Sequence, residues 1–336
     1  MKKKIILSAV ALILLSAGFF AWKLFGPAVS VNKESYFYIR TGSSYDDVQQ
    51  ELVKNDFING TAWFNMTTRL AGYKKIKPGR YKLTDGMSIA DLVRLLKNGR
   101  QTPVTFVITK IRTKEDLADK IGAAFECDSL EMIRFLTNPD SLNMYGLDSN
   151  TVMAAAMPLT YEIWWNTSPG KIFRQFHTAY KVFWTPERKQ KAEKFQLTPT
   201  EVSTLASIID EETNAASDRP GIASVYLNRI RKGMPLQADP TLKFALKNFG
   251  LKRILNEHKE VQSPYNTYMY KGLPPGPVCT PQTETIDAVL DAPETNYYYF
   301  VANSDFSGTH IFTTNYEDHM KYARLYQQEL NKRNIK

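Results

Sequence analysis

The chain has 336 residues, 43% hydrophobic and 23% charged, with two cysteines. That length allows about two domains with an ordinary hydrophobic core, and the composition excludes wholesale disorder, collagen-like repeats and a disulfide framework. The net charge of +9 invites a nucleic-acid reading, but Lys2, Lys3, Lys4, Lys332, Arg333 and Lys336 crowd at the two ends, so no basic stripe across a folded face is indicated and no nucleic-acid partner is expected.

Residues 5–22 carry no charge, a run that reaches the ~18 residues of a membrane-spanning helix. The lysines before it place residues 1–4 in the cytoplasm as a short tail, residues 5–25 as a transmembrane helix, and everything after on the far side. The rival is a signal peptide cut after Gly18, with Ser16 and Gly18 as its small residues. The apolar run continues through Phe19, Phe20 and Ala21, which favours an uncleaved single-pass anchor in the cytoplasmic (inner) membrane. No cysteine stands near Gly18, so a lipoprotein is excluded.

After a linker over residues 27–35, a pattern recurs. Gly42-Ser43-Ser44-Tyr45-Asp46-Asp47-Val48 matches Gly86-Met87-Ser88-Ile89-Ala90-Asp91-Leu92, and Thr113-Lys114-Glu115-Asp116-Leu117 is a looser copy. In each, Ser or Thr precedes Asp by three residues, the mark of a capped helix start. Residues 77–83 turn into a short strand, and residues 103–111 are rich in Val, Thr, Phe and Ile and predict a second. Residues 36–105 therefore read as a small α+β module. Residues 128–195 are mostly helical but are broken at 157–166. There Trp164 and Trp165 stand beside Thr160, Tyr161, Glu162 and Asn166, either as core packing or as an aromatic wall for sugar rings.

Thr198-Pro199-Thr200-Glu201 is a strong helix start: a hydroxyl cap, proline at the first position and an acid at the third. The helix runs to Asp210-Glu211-Glu212-Thr213. Its apolar face centres on Leu205 and Ile209, and Glu212 continues that face, with Glu211 opposite and Asp210 on a flank. The expectation is one carboxyl in apolar surroundings with two better-solvated acids beside it. Burial raises such a carboxyl's pKa and suits it to general acid work. The bland alternative makes Glu212 the ion-pair partner of Arg219 or Arg229.

Further on, residues 217–229 predict a second helix. Asp239 caps a third, with Pro240 at its first position. Residues 272–277 (Gly-Leu-Pro-Pro-Gly-Pro) form an ordered turn. Residues 297–302 and 310–313 read as strands, and Asn315 starts a terminal helix to about residue 331. There is no phosphate loop and no nucleophile elbow, and the four histidines lack zinc-protease spacing. Ser30-Val31-Asn32-Lys33 matches the SxxK pattern by chance, without its companion motifs. Cys127 and Cys279 either pair or stay free. What remains is carboxylate chemistry with amide, hydroxyl and aromatic helpers, suited to cleaving sugars.

Ala206-Ser207-Ile208-Ile209-Asp210-Glu211-Glu212-Thr213, Val225-Tyr226-Leu227-Asn228-Arg229, Leu236-Gln237-Ala238-Asp239-Pro240-Thr241, Tyr265-Asn266-Thr267-Tyr268, the turn at 272–277 and Tyr299-Phe300-Val301-Ala302 resemble the endolytic murein transglycosylases, in order and spacing over nearly all of residues 36–330. The resemblance implies an α+β protein: a membrane helix, a LysM-like module at 36–105 that contacts glycan, and a mixed α/β catalytic domain at 106–336. It implies Glu212 as catalytic acid at the end of a helix. Asn228, Gln237, Asp239, Tyr265, Asn266, Thr267, Thr160 and Tyr161 become candidates for binding substrate, although Asp239 reads equally as a cap and Asn266 as a turn former. No metal and no cofactor is implied.

The implied reaction is that of a polysaccharide lyase. It cuts the MurNAc–GlcNAc bond of nascent peptidoglycan strands, leaves 1,6-anhydro ends and ends elongation near peptidoglycan synthases. One departure matters. Where the family often has Pro-Asp-Thr-Tyr, this chain has Pro158-Leu159-Thr160-Tyr161, so no second carboxylate at that place is essential here. The alternatives are a hydrolytic muramidase on the same fold and a membrane-anchored glycan-binding scaffold.

Overall fold

The apolar N-terminal run folds as a helix, α1 (Lys2–Phe25), long enough and, at a mean hydropathy of 2.4, apolar enough to cross a membrane. The computed structural model describes residues 2–31, 35–251 and 253–333. Residues 32–34 of the linker and Lys336 of the basic tail lie outside them. The chain forms two units, one of residues 1–105, 124–127 and 162–168, the other of residues 106–123, 128–161 and 169–336.

In the first unit α1 is followed by β1 (Ser35–Ile39), α2 (Tyr45–Lys54), α3 (Ala62–Ala71), β2 (Gly79–Leu83) and α4 (Ile89–Asn98). The strands pair antiparallel, Ser35 opposite Leu83 and Ile39 opposite Gly79. Alternate residues of β2, among them Tyr81 and Leu83, face inward onto Val48 and Leu52 of α2 and Leu92 and Leu96 of α4. The repeated Ser-x-x-Asp pattern does what its chemistry allows. Ser44 and Asp47 close a reciprocal capping box, and Ser88 accepts the backbone N–H of Asp91. Both α3 and α4 end on a left-handed glycine, Gly72 and Gly99. Trp165 is buried and packs on Tyr38 at 4.9 Å, whereas Trp164 stays exposed.

The remaining elements are β3 (Val104–Val107), α5 (Lys114–Ala124), α6 (Ser129–Thr137), α7 (Pro139–Asn143), β4 (Thr160–Ile163), α8 (Pro169–Phe183), α9 (Pro186–Lys194), α10 (Pro199–Glu212), α11 (Arg219–Arg231), α12 (Asp239–Ala245), α13 (Thr283–Leu290), β5 (Tyr299–Ala302), β6 (His310–Thr313) and α14 (Tyr316–Lys332). β3 pairs with β4, and β5 with β6 antiparallel. The third copy of the repeat also caps its helix: Thr113 Oγ1 accepts from Asp116 N–H and Asp116 accepts from Thr113 N–H. The strand read over 103–111 is shorter, ending at Val107, because Ile111 turns its backbone to Thr280 instead.

α10 is the axis of the second unit. Every residue from Val202 to Asp210 is buried, so this helix has no solvated face. The capping box of Thr198 and Glu201 starts it as its sequence predicts. Its small polar residues fit because their hydroxyls return to the helix itself: Ser203 to Pro199, Thr204 to Thr200 and Ser207 to Thr204. α11, α12 and α13 pack around it. The turn at 272–277 is drawn tightly against residues 150–151, and a Cβ on Gly276 would lie 2.0 Å from the Asn150 carbonyl, so only glycine fits there. Cys127 and Cys279 are both buried, and both are thiols rather than halves of a disulfide.

Candidate active site

Three acids end α10, and each is held differently. Asp210 is 4% exposed. It accepts from Gln282 N–H at 2.6 Å and Thr285 Oγ1 at 2.5 Å, with Arg219 at 3.7 Å. Glu211 bridges Lys110 at 3.0 Å and Arg112 at 3.0 Å. The expectation that these two are solvated is corrected: with residues 202–210 of α10 enclosed on all sides, the carboxylates at its end find donors inside the protein. Asp210 pins α13, and Glu211 fastens the segment before α5.

Glu212 is the acid left for chemistry. It is half-buried, and Tyr226 of α11 donates its hydroxyl to Oε1 at 2.7 Å. Desolvation dominates its electrostatics and pushes its pKa up to about 7. The Tyr226 hydrogen bond pulls the other way, the charge of Asp239 adds to the rise, and Lys243 and Arg229 oppose it. The ion-pair alternative does not hold. Arg219 turns to Asp210 and to Gln282 at 3.0 Å. Arg229 donates to the carbonyls of Tyr298, Pro235 and Leu236.

The structure separates the other candidates by what their side chains already hold. Asp239 is not the cap of α12. Ala238 occupies the cap position without a side-chain bond, and Asp239 sits one residue inside the helix. That leaves its carboxylate free to accept from Tyr268 Oη at 2.5 Å and to act on Glu212. Gln237 is exposed and has φ 54°, a left-handed conformation that costs a non-glycine residue energy and clusters at functional sites. Thr160 is exposed on β4.

Three candidates have their polar groups committed to the fold. Asn228 donates to the carbonyls of Thr295 and Tyr297. Asn266, fully buried, bridges Lys259 and Val261 to Tyr268 and Met269. Thr267 takes Ala238 N–H and meets Thr241 Oγ1. Asn266 and Thr267 brace the segments that carry Tyr268 and Asp239, and Asn228 ties α11 to the segment before β5. Tyr161 donates to the Met157 carbonyl and packs on Phe176. Tyr265 is buried against Phe244.

Tyr226, Tyr268 and Lys243 were not among the sequence candidates. Tyr226 and Tyr268 stand inside the very motifs that supplied Asn228 and Asn266. With Glu212 and Asp239 they form two hydroxyl–carboxyl pairs, Tyr226 with Glu212 and Tyr268 with Asp239, and the charge of Arg229 acts on Glu212 and both tyrosines.

The YceG-like family profile matches residues 37–325 of the chain. An endolytic murein transglycosylase of Bacillus subtilis is 28% identical over 88% of the chain and 85% of its own length. One of Streptococcus pneumoniae is 27% identical over 92% of the chain, which spans 62% of that relative's length. A crystal structure of a yceG-like protein from Listeria monocytogenes superposes with a TM-score of 0.59 at 26% identity, covering 86% of this chain and 98% of that one.

Proposed function

The chain belongs to the YceG-like family, and we propose that it cuts murein glycan strands internally by lytic transglycosylation, with Glu212 as its one acid–base group. The relatives it matches over most of its length are endolytic murein transglycosylases, so the enzyme class is that of a lyase acting on murein. The observation that carries the role of Glu212 is its carboxyl near the end of a buried helix, half-protonated around pH 7 and hydrogen-bonded by Tyr226.

The step uses one residue twice. Protonated Glu212 gives its proton to the oxygen that leaves C1 of N-acetylmuramic acid, and the C1–O bond to the next N-acetylglucosamine breaks. The C6 hydroxyl of the same muramic acid then bonds to C1, and its proton returns to Glu212. No water is consumed, so no second carboxylate has to activate one. Asp239, whose charge disfavours ionised Glu212, keeps the proton available at neutral pH. Gln237 and Thr160 are assigned contacts to the sugar, a reading supported by their exposure in the same unit.

The antiparallel β1–β2 pair with its capped helices supports reading residues 36–105 as a LysM-like glycan-contacting module. α1 supports a single-pass anchor, with Lys2, Lys3 and Lys4 on the cytoplasmic side and the enzyme outside, beside the peptidoglycan synthases. A reporter fused after residue 31 and active only outside the cytoplasm checks that orientation.

Mass spectrometry of digested glycan tests the chemistry. The expected products end in 1,6-anhydro-muramic acid and vanish with Glu212→Gln. Products one water heavier identify a hydrolytic muramidase, and binding without cleavage identifies a scaffold.

A further inference from the structure

The helix that carries Asp239 has a second side. Asp239 and Lys243, one turn apart on α12, act on Glu212. Phe244 of α12 and Lys247, just past its C-cap, line a separate cleft of about 120 Å³ within the same unit, with Arg112, Lys114, Glu115 and Tyr265. Its floor is aromatic: the Phe244 and Tyr265 rings are 4.6 Å apart, and Phe249, outside the lining, stands 6.3 Å from Phe244. Its rim carries three cations against the single acid Glu115.

Two of the cations are held in place. Arg112 lies 5.1 Å over the Phe249 ring and binds Glu211 Oε2 at 3.0 Å. Glu211 neutralises it only in part, because Lys110 takes the other oxygen at 3.0 Å. Lys114 reaches the Ser149 carbonyl at 3.1 Å. Lys247 follows the C-cap of α12 with φ 51°. That position favours glycine, so a lysine there carries backbone strain, and its exposed side chain lines the cleft.

We propose that this cleft binds a carboxylate of the peptide carried by muramic acid, so that the enzyme favours peptide-bearing over bare glycan. The inference rests on the lytic transglycosylase reading. Murein peptides join carboxylates to small apolar side chains, and the cleft offers cations over an apolar floor. Arg112 ties it, through Glu211, to the end of the helix that carries Glu212.

The test compares full-length wild type with Lys247→Gly, which removes the cation and relieves the left-handed backbone, so that a loss is not a loss of folding. Each is assayed on peptide-bearing strands and on strands stripped by an amidase. The ratio of kcat/KM on the two substrates is expected to fall at least fivefold, and a ratio within twofold of wild type overturns the proposal. Calorimetric titration of Glu212→Gln with a sugar-free murein tripeptide separates the two readings. Saturable binding that weakens at least fivefold when Lys247→Gly is added supports the cleft even if no strand is cut, an outcome that refutes only the lytic chemistry. Absence of binding overturns the cleft.

Discussion

Tyr226 Oη donates to Glu212 Oε1 at 2.7 Å, and this bond opposes the desolvation that pushes the Glu212 carboxyl up to about 7. The hydroxyl favours the carboxylate, the form needed to recover a proton from the C6 hydroxyl. The apolar surroundings favour the acid, the form needed to release the leaving oxygen. A residue that works in both forms is served by a pKa near working pH, and the two influences together bring it there.

Removing that bond changes the balance in a readable direction. Tyr226→Phe takes away what stabilises the carboxylate, so the Glu212 pKa rises above about 7. The alkaline limb of kcat/KM, which reports loss of the protonated acid, is expected to move up by roughly one pH unit, with kcat reduced about tenfold. A limb that stays in place means that Tyr226 only fills space.

Asp239→Asn has the opposite sign. Its charge raises the Glu212 pKa, so neutralising it lowers the pKa and moves the alkaline limb down by a fraction of a unit. Asparagine still accepts from Tyr268, so the loop bearing that tyrosine is expected to keep its place. Two substitutions that shift one limb in opposite directions are hard to produce by general damage to the fold.

What the sequence made legible depends on how local the physics is. Helix starts were readable because a cap is settled within four residues: Ser44, Ser88, Thr113 and Thr198 all do what their spacing predicts. Glu212 stood out because it ends an apolar stripe. The same periodicity misjudged Asp210 and Glu211, since no pattern along α10 reveals that other elements enclose its remaining faces. Asn228, Asn266 and Thr267 looked like sugar binders, but their amides and hydroxyls meet backbone groups from other segments. Asp239 looked like a cap because Pro240 follows it, yet the helix starts one residue earlier. Tyr226 and Tyr268 matter only through the acids that they reach, 14 and 29 residues away.

Glu212→Gln is expected to abolish cleavage and to stabilise the fold in one pH range. The folded pKa is about 7 and the unfolded reference 4.5. Stability tied to protonated Glu212 is thus complete below pH 4.5 and is lost as pH rises through about 7. Glutamine loses nothing with pH. The variant's advantage therefore grows across that window and levels off above it at no more than about 3 kcal/mol, less for the exposed part of the side chain. Thermal unfolding at pH 4 and pH 8.5 checks this, and an equal shift at both pH values contradicts it.

Asp210→Asn separates holding the helix from doing the chemistry. The Asp210 carboxylate accepts from Gln282 N–H and Thr285 Oγ1 and faces Arg219, all around a side chain that is 4% exposed. Asparagine offers one acceptor where two donors converge, turns its own N–H toward one of them, and leaves Arg219 without its counter-charge. The expected loss is about 2–4 kcal/mol of stability, read as a lower urea midpoint. The alkaline limb set by Glu212 is expected to stay near pH 7 in the protein that remains folded, because Asp210 is not among the groups that set the Glu212 carboxyl. A displaced limb with an unchanged midpoint would place Asp210 in the chemistry and remove Glu212 from its position as the one acid at work.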